Sequence, residues 1–233
     1  MSAPPNPTDH IVRADLDPEF LETALTQLAW AYSDLYWEIE ATAGLDNFQK
    51  QEEYQRRRGL CAVKTLLFAC ERHKVPFDRL RLDCNGQVKL LVRMGRVIIM
   101  QETIDAFGDP PKAADYKLKF ASTSSAVQQL EFDFGDGRFR SREWSGCILA
   151  VLLHKPAGPN FTEAHKKLGG VSLAIPDAAY SHWTRRFDLH ELAMYGRNGA
   201  RWLEEERDTA PADQADKVTV GIKRKNSIRD TER

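Results

Sequence analysis

Three places in this 233-residue chain carry side chains whose type and spacing could do chemistry. Asp105 and Asp109 precede Asp115-Tyr116-Lys117, an acid followed by an acid-x-Lys triplet. Carboxylates of this kind could hold Mg²⁺ while the lysine steadies an attacking water. Asp109, Asp115 and Lys117 therefore form a candidate set for metal-dependent phosphodiester hydrolysis. His182-Trp183-Thr184 sets a histidine, a side chain able to act as acid or base, two residues before a hydroxyl. Cys70 and His73 stand i, i+3 and, with Cys61, would offer three zinc ligands, but no Cys-x-x-Cys pair supports them.

Each set falls short of a complete motif. His182-Trp183-Thr184 resembles one half of the paired His-x-Thr/Ser arrangement of two-histidine phosphoesterases. The second half is missing, because His10, His73, His154, His165 and His190 are followed two residues on by Val, Val, Pro, Lys and Leu. There is no Gly-x-x-x-x-Gly-Lys-Ser/Thr loop, Gly-x-Gly-x-x-Gly, His-Glu-x-x-His or Gly-x-Ser-x-Gly. Gly169-Gly170 after Lys166-Lys167 reads as a turn. Cys61, Cys70, Cys84 and Cys147 are scattered through apolar contexts and read as free thiols. No cofactor and no metal is expected.

Charge is the stronger signal. Residues 1–46 carry nine acids against one base, a net of −8, and residues 47–142 carry eighteen bases against twelve acids, a net of +6. Residues 143–233 are nearly balanced, so a net charge of −1 conceals an acidic start and a basic middle. Such asymmetry points to a charged partner. No apolar stretch is long enough to span a bilayer, and residues 1–17 lack a signal-peptide core, so a cytoplasmic protein without membrane contact is expected.

The elements that would position these residues follow from hydrophobic period. Residues 1–14 read as a disordered, Pro-rich lead. Asp17 and Pro18 then open a helix in which Phe20, Leu21, Ala24, Leu28, Ala31, Leu35 and Ile39 recur at helical spacing, ending at Gly44. A second helix runs from about residue 46 to 73, polar to Arg58 and apolar nearly all round over 60–69, giving an antiparallel helical hairpin across 15–75. From residue 79 the period drops to two: strands near 79–84 and 87–94 flank Asn85-Gly86, and a central strand follows at 97–100. Alternation predicts further strands at 116–120, 130–134 and 171–175. The apolar run 147–153 reads as a buried strand or a short helix, its brevity and Gly146 favouring the strand. A helix is expected over 178–195 within a C-terminal helical region 176–207, and a flexible tail over 208–233. The fold class is α+β, with a central antiparallel sheet of five to seven strands over 79–175 in one domain, 15–207.

A helix followed by a three-strand meander resembles the core of restriction-endonuclease-like nucleases over residues 46–103. The resemblance implies an acid-x-Lys on the third strand, where this chain offers Gln101-Glu102-Thr103 without a lysine. A metal-dependent nuclease or phosphodiesterase is therefore an alternative rather than the leading expectation.

The leading expectation rests on the polar side of the strands. Period two gathers Arg79, Arg81, Lys89, Arg93, Lys117, Lys119, Arg138 and Arg140 there, opposed by Asp83, Glu131 and Asp133, with Arg56, Arg57 and Arg58 on the preceding helix. Such a face could follow a phosphate backbone, or the acidic first helix could neutralise it. Tyr116, Phe120, Phe132, Phe134 and Phe139 fall on the apolar side, which favours backbone contact over base stacking. The expected function is that of a non-catalytic intracellular binding protein, a regulator or component acting on nucleic acid or on a nucleic-acid-handling complex. An acidic protein surface is the other partner considered. An adaptor using Trp30, Tyr36 and Trp37 of the first helix is a further alternative.

Overall fold

The computed structural model describes residues 7–81, 88–128 and 146–195. The lead is shorter than expected, because α1 (Pro7–Asp15) is helical and buries Ile11 and Val12, with Leu16 just beyond it. Two well-capped helices follow. In α2 (Pro18–Glu40), Pro18 takes the first position and Asp17 Oδ1 accepts from the Glu19 N–H at 3.0 Å. A full capping box opens α3 (Asn47–His73): the Gln49 N–H donates to Asp46 Oδ1 at 2.8 Å, and the Asp46 N–H donates to Gln49 Oε1 at 3.0 Å. Buried residues of α2 (Phe20, Leu28, Tyr32, Leu35, Ile39) face Tyr54, Ala62, Leu66 and Ala69 of α3 in an antiparallel hairpin. The apolar half of α3 is buried on one side only, since Leu60 and Phe68 are exposed.

The sheet contains β1 (Phe77–Arg81), β2 (Val88–Met94), β3 (Val97–Thr103), β4 (Ile148–Pro156), β5 (Leu168–Pro176) and β6 (Trp183–Asp188), side by side in chain order. Every neighbouring pair is antiparallel except β3 and β4, so the sheet is mixed rather than wholly antiparallel. Parallel neighbours need a crossover, and that crossover carries α4 (Asp115–Gln128) where residues 116–120 read as a strand. Five residues of alternation cannot separate the two periods, and Ala121 of the helix packs against the sheet.

A second revision lies at the end of the described chain. The helix expected over 178–195 is instead a turn, strand β6 and the short α6 (Leu189–Tyr195). Asp177 does not cap a helix; its Oδ1 accepts from the N–H groups of Ser181 at 2.6 Å and His182 at 3.1 Å, and Tyr180 adopts φ +52°. That turn reverses the chain into the sheet edge. The Asn85-Gly86 turn, Asp83, the strand expected at 130–134, Glu131, Asp133, Phe132, Phe134, Phe139 and the tail lie outside the described residues.

Both sheet faces are covered. Val92, Ile99, Ala150, Leu152 and Leu173 pack under α1, α2, α3 and α6, while Leu91, Ile98, Met100, Leu149 and Val151 pack under α4, Phe107, Tyr180 and Trp183. Burial on two faces explains the continuous apolar runs of β3 and β4. The short α5 (Glu163–Lys166) lies between β4 and β5. The fold is α+β, with N-terminal helices, a central six-stranded sheet and a C-terminal helix.

Leu66 is 1% exposed in the helical hairpin. Leu66→Ala should destabilise the protein by about 2–5 kcal/mol, measured by urea unfolding; a near-neutral result would mean that the hairpin does not pack as described.

Candidate anion-binding site

The cations expected on one face are distributed over several. Opposed residues of antiparallel strands share a face, and the register pairs Arg79 with Leu90, Arg81 with Val88 and Leu80 with Lys89. Arg79 and Arg81 therefore project to the helix side, whereas Lys89 and Arg93 project to the α4 side with Leu91. The expected phase between the two strands was off by one residue, which moves every side chain across the sheet. Lys119 is exposed on α4, and Arg138 and Arg140 lie outside the described residues.

Three successive arginines on a helix point about 100° apart. Arg56 is exposed and pairs with Glu53. Arg57 reaches Glu38 of α2 at 2.6 Å, and Lys50 reaches Glu40 at 3.1 Å, so the acidic helix is partly neutralised by its hairpin partner. That helix does not cover Lys89, Arg93 or Lys117, which lie on the other side of the sheet. Of the aromatics offered for a protein partner, Trp30 and Trp37 are exposed, while Tyr36 is buried against Phe161.

On the α4 side, Lys117 Nζ donates to Glu102 Oε2 at 2.8 Å and to the Lys112 carbonyl at 2.7 Å, and stands 5.2 Å from the centre of the Tyr180 ring. The Tyr180 hydroxyl also donates to Glu102 at 3.3 Å. Half-buried Lys89 is held below the usual lysine range by burial and then by Lys117, against the pull of Glu102. A lysine thus does meet the carboxylate of the third strand, but from α4. The acid-x-Lys triplet itself is on a helix, where Asp115 and Lys117 diverge by about 200°, and Asp109 accepts from the Ala106 N–H at 3.1 Å. Among the described residues no three His, Cys, Asp or Glu side chains converge to hold a metal ion. His73 is taken up by the Thr23 hydroxyl at 2.8 Å.

The other polar centre, on the helix side, was not anticipated. His154 of β4 is fully buried; its Nε2 stands 3.0 Å from Gln101 Oε1 and its Nδ1 2.6 Å from the Tyr32 hydroxyl. An amide oxygen only accepts, so Nε2 carries the proton and Nδ1 accepts from Tyr32. Burial, reinforced by Arg58, pushes the imidazole down to about 3 and keeps it neutral. Gln101 Nε2 donates onward to the Gly59 carbonyl at 3.3 Å. The Tyr54 hydroxyl donates to the Lys166 carbonyl at 2.7 Å, and burial lifts both phenols above their ordinary range.

Two cations adjoin this network. Lys166 is wholly buried; its Nζ donates to the Pro159 carbonyl at 2.9 Å and the Gly158 carbonyl at 3.4 Å, above the Tyr54 ring. Burial and then Arg58 push its ammonium down to about 8. The Arg58 side chain is 7% exposed and gives one nitrogen, Nη2, to Asp105 at 3.0 Å, whose carboxylate is 70% exposed. Arg58 Nε and Nη1, Gln51 Oε1 and His165 Nδ1 are buried without a hydrogen bond among the described residues. Arg58 and Gln51 line a cavity of about 350 Å³ with Gln55, Asp105, Lys155 and the backbone turn 156–159. Glycine shapes that wall: a Cβ on Gly158 would strike the His165 ring, and one on Gly169 would strike the Ala157 backbone. The Gly169-Gly170 pair thus lies in β5 rather than in a turn, with Gly170 against Phe107.

A buried guanidinium normally spends its donors on partners. Here Asp105 is the one carboxylate among the lining residues, against Arg58 and Lys155. This arrangement favours an oxyanion, which the fork of Arg58 can grip through two N–H groups.

No protein-family model matches the chain, nor does any curated protein or solved structure. No described helix is long and apolar enough to cross a membrane.

Two stability predictions follow from the polar centres. His154 is held below its unfolded value, so its contribution is present above pH ~6.5 and is lost as pH falls towards ~3. Between pH 7 and 5 that loss is about 2 kcal/mol, and His154→Asn should shrink the wild-type fall in unfolding free energy by that amount. On the other face, Glu102→Gln leaves Lys117 buried without its carboxylate and should destabilise by about 3–5 kcal/mol. The double variant with Lys117→Met should recover much of the loss in urea unfolding.

Proposed function

We propose that this protein is a non-catalytic binding protein for a phosphate-bearing ligand, with Arg58 as the group that takes the oxyanion. The observation that carries this reading is the buried guanidinium whose Nε and Nη1 make no hydrogen bond among the described residues, at a cavity shared with Lys155. Phosphate is favoured over weaker anions by the excess of cations over carboxylates there and by the basic balance of residues 47–142. Nucleic acid is the partner to which that balance points. Its phosphate would enter at this recess rather than lie along a continuous sheet face, because the expected cations divide between two faces and the helical hairpin.

Thermal unfolding in phosphate and sulfate, with Arg58→Met alongside, tests the proposal. Anion at a hundredfold excess over Kd should raise the wild-type Tm by about 5–10 °C. Arg58→Met should lose that rise without losing stability in anion-free buffer, since it removes a buried charge whose one ion pair among the described residues is with an exposed carboxylate. Equal rises in both proteins would reflect general salting effects and defeat the proposal.

A further inference from the structure

The geometry points to a particular ligand for this cavity: a terminal phosphomonoester with a hydroxyl beside the phosphate. This rests on the oxyanion reading above and narrows it. Charge is the first support. Arg58 and Lys155 line the cavity against Asp105. Lys166 stands behind the turn, its ammonium on the Gly158 and Pro159 carbonyls, and brings the local balance to +2. That balance suits a phosphomonoester, whose charge approaches −2 at neutral pH because its second ionisation lies near pH 6. A phosphodiester carries a single negative charge and would leave the site under-neutralised.

Shape is the second support. Arg58 lies in a recess, with the turn 156–159 forming one wall and Lys166 fixing that turn through the Gly158 and Pro159 carbonyls. The exposed Asp105 carboxylate at this cavity would repel the flanking phosphates of a continuing strand; a chain end has such phosphates on one side and a small molecule has none. The adjacent cations offer no track for further phosphates, since Arg57 is held by Glu38 and Arg56 by Glu53.

Gln51 is the third support. It lies seven residues before Arg58, on the same side of α3, and lines the same cavity. Its Oε1 is a buried acceptor without a donor among the described residues. A phosphomonoester dianion carries no proton on its phosphate for it; a neighbouring ligand hydroxyl does. Sites built to bond a hydroxyl discriminate strongly against ligands lacking one, because the acceptor is then left buried and unpaired.

This chemistry is shared by free sugar phosphates and by the phosphorylated ends of nucleic acids, and titration calorimetry on the full chain separates the sources. The probes are inorganic phosphate, ribose 5-phosphate, dimethyl phosphate, and a short single-stranded RNA with and without a 5′-phosphate. Ribose 5-phosphate should bind at least tenfold more tightly than inorganic phosphate, and dimethyl phosphate should not bind measurably. Gln51→Leu should lower ribose 5-phosphate affinity to the level of inorganic phosphate while leaving inorganic phosphate unchanged, which a merely structural role would not produce. Binding of the 5′-phosphorylated RNA but not its unphosphorylated twin supports the inference with a nucleic-acid end as the source. Binding of ribose 5-phosphate with neither RNA supports it with a free sugar phosphate as the source. Dimethyl phosphate binding as tightly as the monoester overturns it, as does an equal loss of both ligands in Gln51→Leu. Inorganic phosphate binding no more weakly than ribose 5-phosphate overturns it while leaving the oxyanion reading intact. Binding of none of the probes defeats both.

Discussion

Parallel strands cannot be joined by a tight turn. The chain leaving β3 at Thr103 must therefore cross one face of the sheet before it re-enters beside β3 at Ile148. That crossover puts α4 opposite the N-terminal helices and buries the central strands on both sides. It leaves little room for an open polar sheet face. It also gives consecutive residues of β3 opposite surroundings: Gln101 turns to the helix side and joins His154 and Tyr32, while Glu102 turns to the α4 side and meets Lys117 and Tyr180. Each polar centre is thus anchored by one residue of the same strand, and the pleat separates them.

The two centres resolve their buried charge differently. At Glu102 the opposite charges are within the protein, and Lys117 spends further donor capacity on a backbone carbonyl. Such a pair is a structural device, expensive to break from one side. Around Arg58 the balance is unequal. Lys166 is provided with carbonyls and His154 is neutral, yet the guanidinium meets one exposed carboxylate and keeps two nitrogens, Nε and Nη1, without a hydrogen bond among the described residues. Burial without full pairing is unfavourable to folding, and proteins tolerate such departures chiefly where a ligand completes the site. This contrast, more than the number of cations, singles out Arg58 as the candidate binding position.

Much of the architecture was legible in the residues. Asp17-Pro18 and the Asp46/Gln49 capping box mark both helix starts, and the spacing of Phe20, Leu28, Leu35 and Ile39 marks the buried stripe. The meander and the strands at 147–153 and 171–175 also follow from composition and period. Residues 115–128 and 183–188 did not, for reasons that are not local. The first is helical because β3 and β4 are parallel; the second is a strand because Asp177 ties a turn instead of capping a helix. The expected basic face divides through strand phase. Placing Leu80 with Leu90 is natural from alternation alone, but hydrogen-bond register places Leu80 with Lys89.

Arg58 shows how a site can be visible in a sequence and still be missed. Arg56-Arg57-Arg58 invites interpretation as one basic unit, yet a helix disperses consecutive residues around its axis. The informative neighbours of Arg58 are those three, four and seven positions away. Tyr54, Ala62 and Thr65 are all buried, and the stripe continues through Leu66 and Ala69. Gln51, Gln55 and Arg58 continue one edge of that stripe to the cavity. A cation inside a helical apolar stripe cannot be a solvating charge, so it must have a partner or await one. The position of Arg58 in α3 was therefore legible from helical period; its pairing was not. Asp105, Lys155 and Lys166 lie 47, 97 and 108 residues away in sequence and come together only through the β3–β4 register and the turn that Lys166 holds.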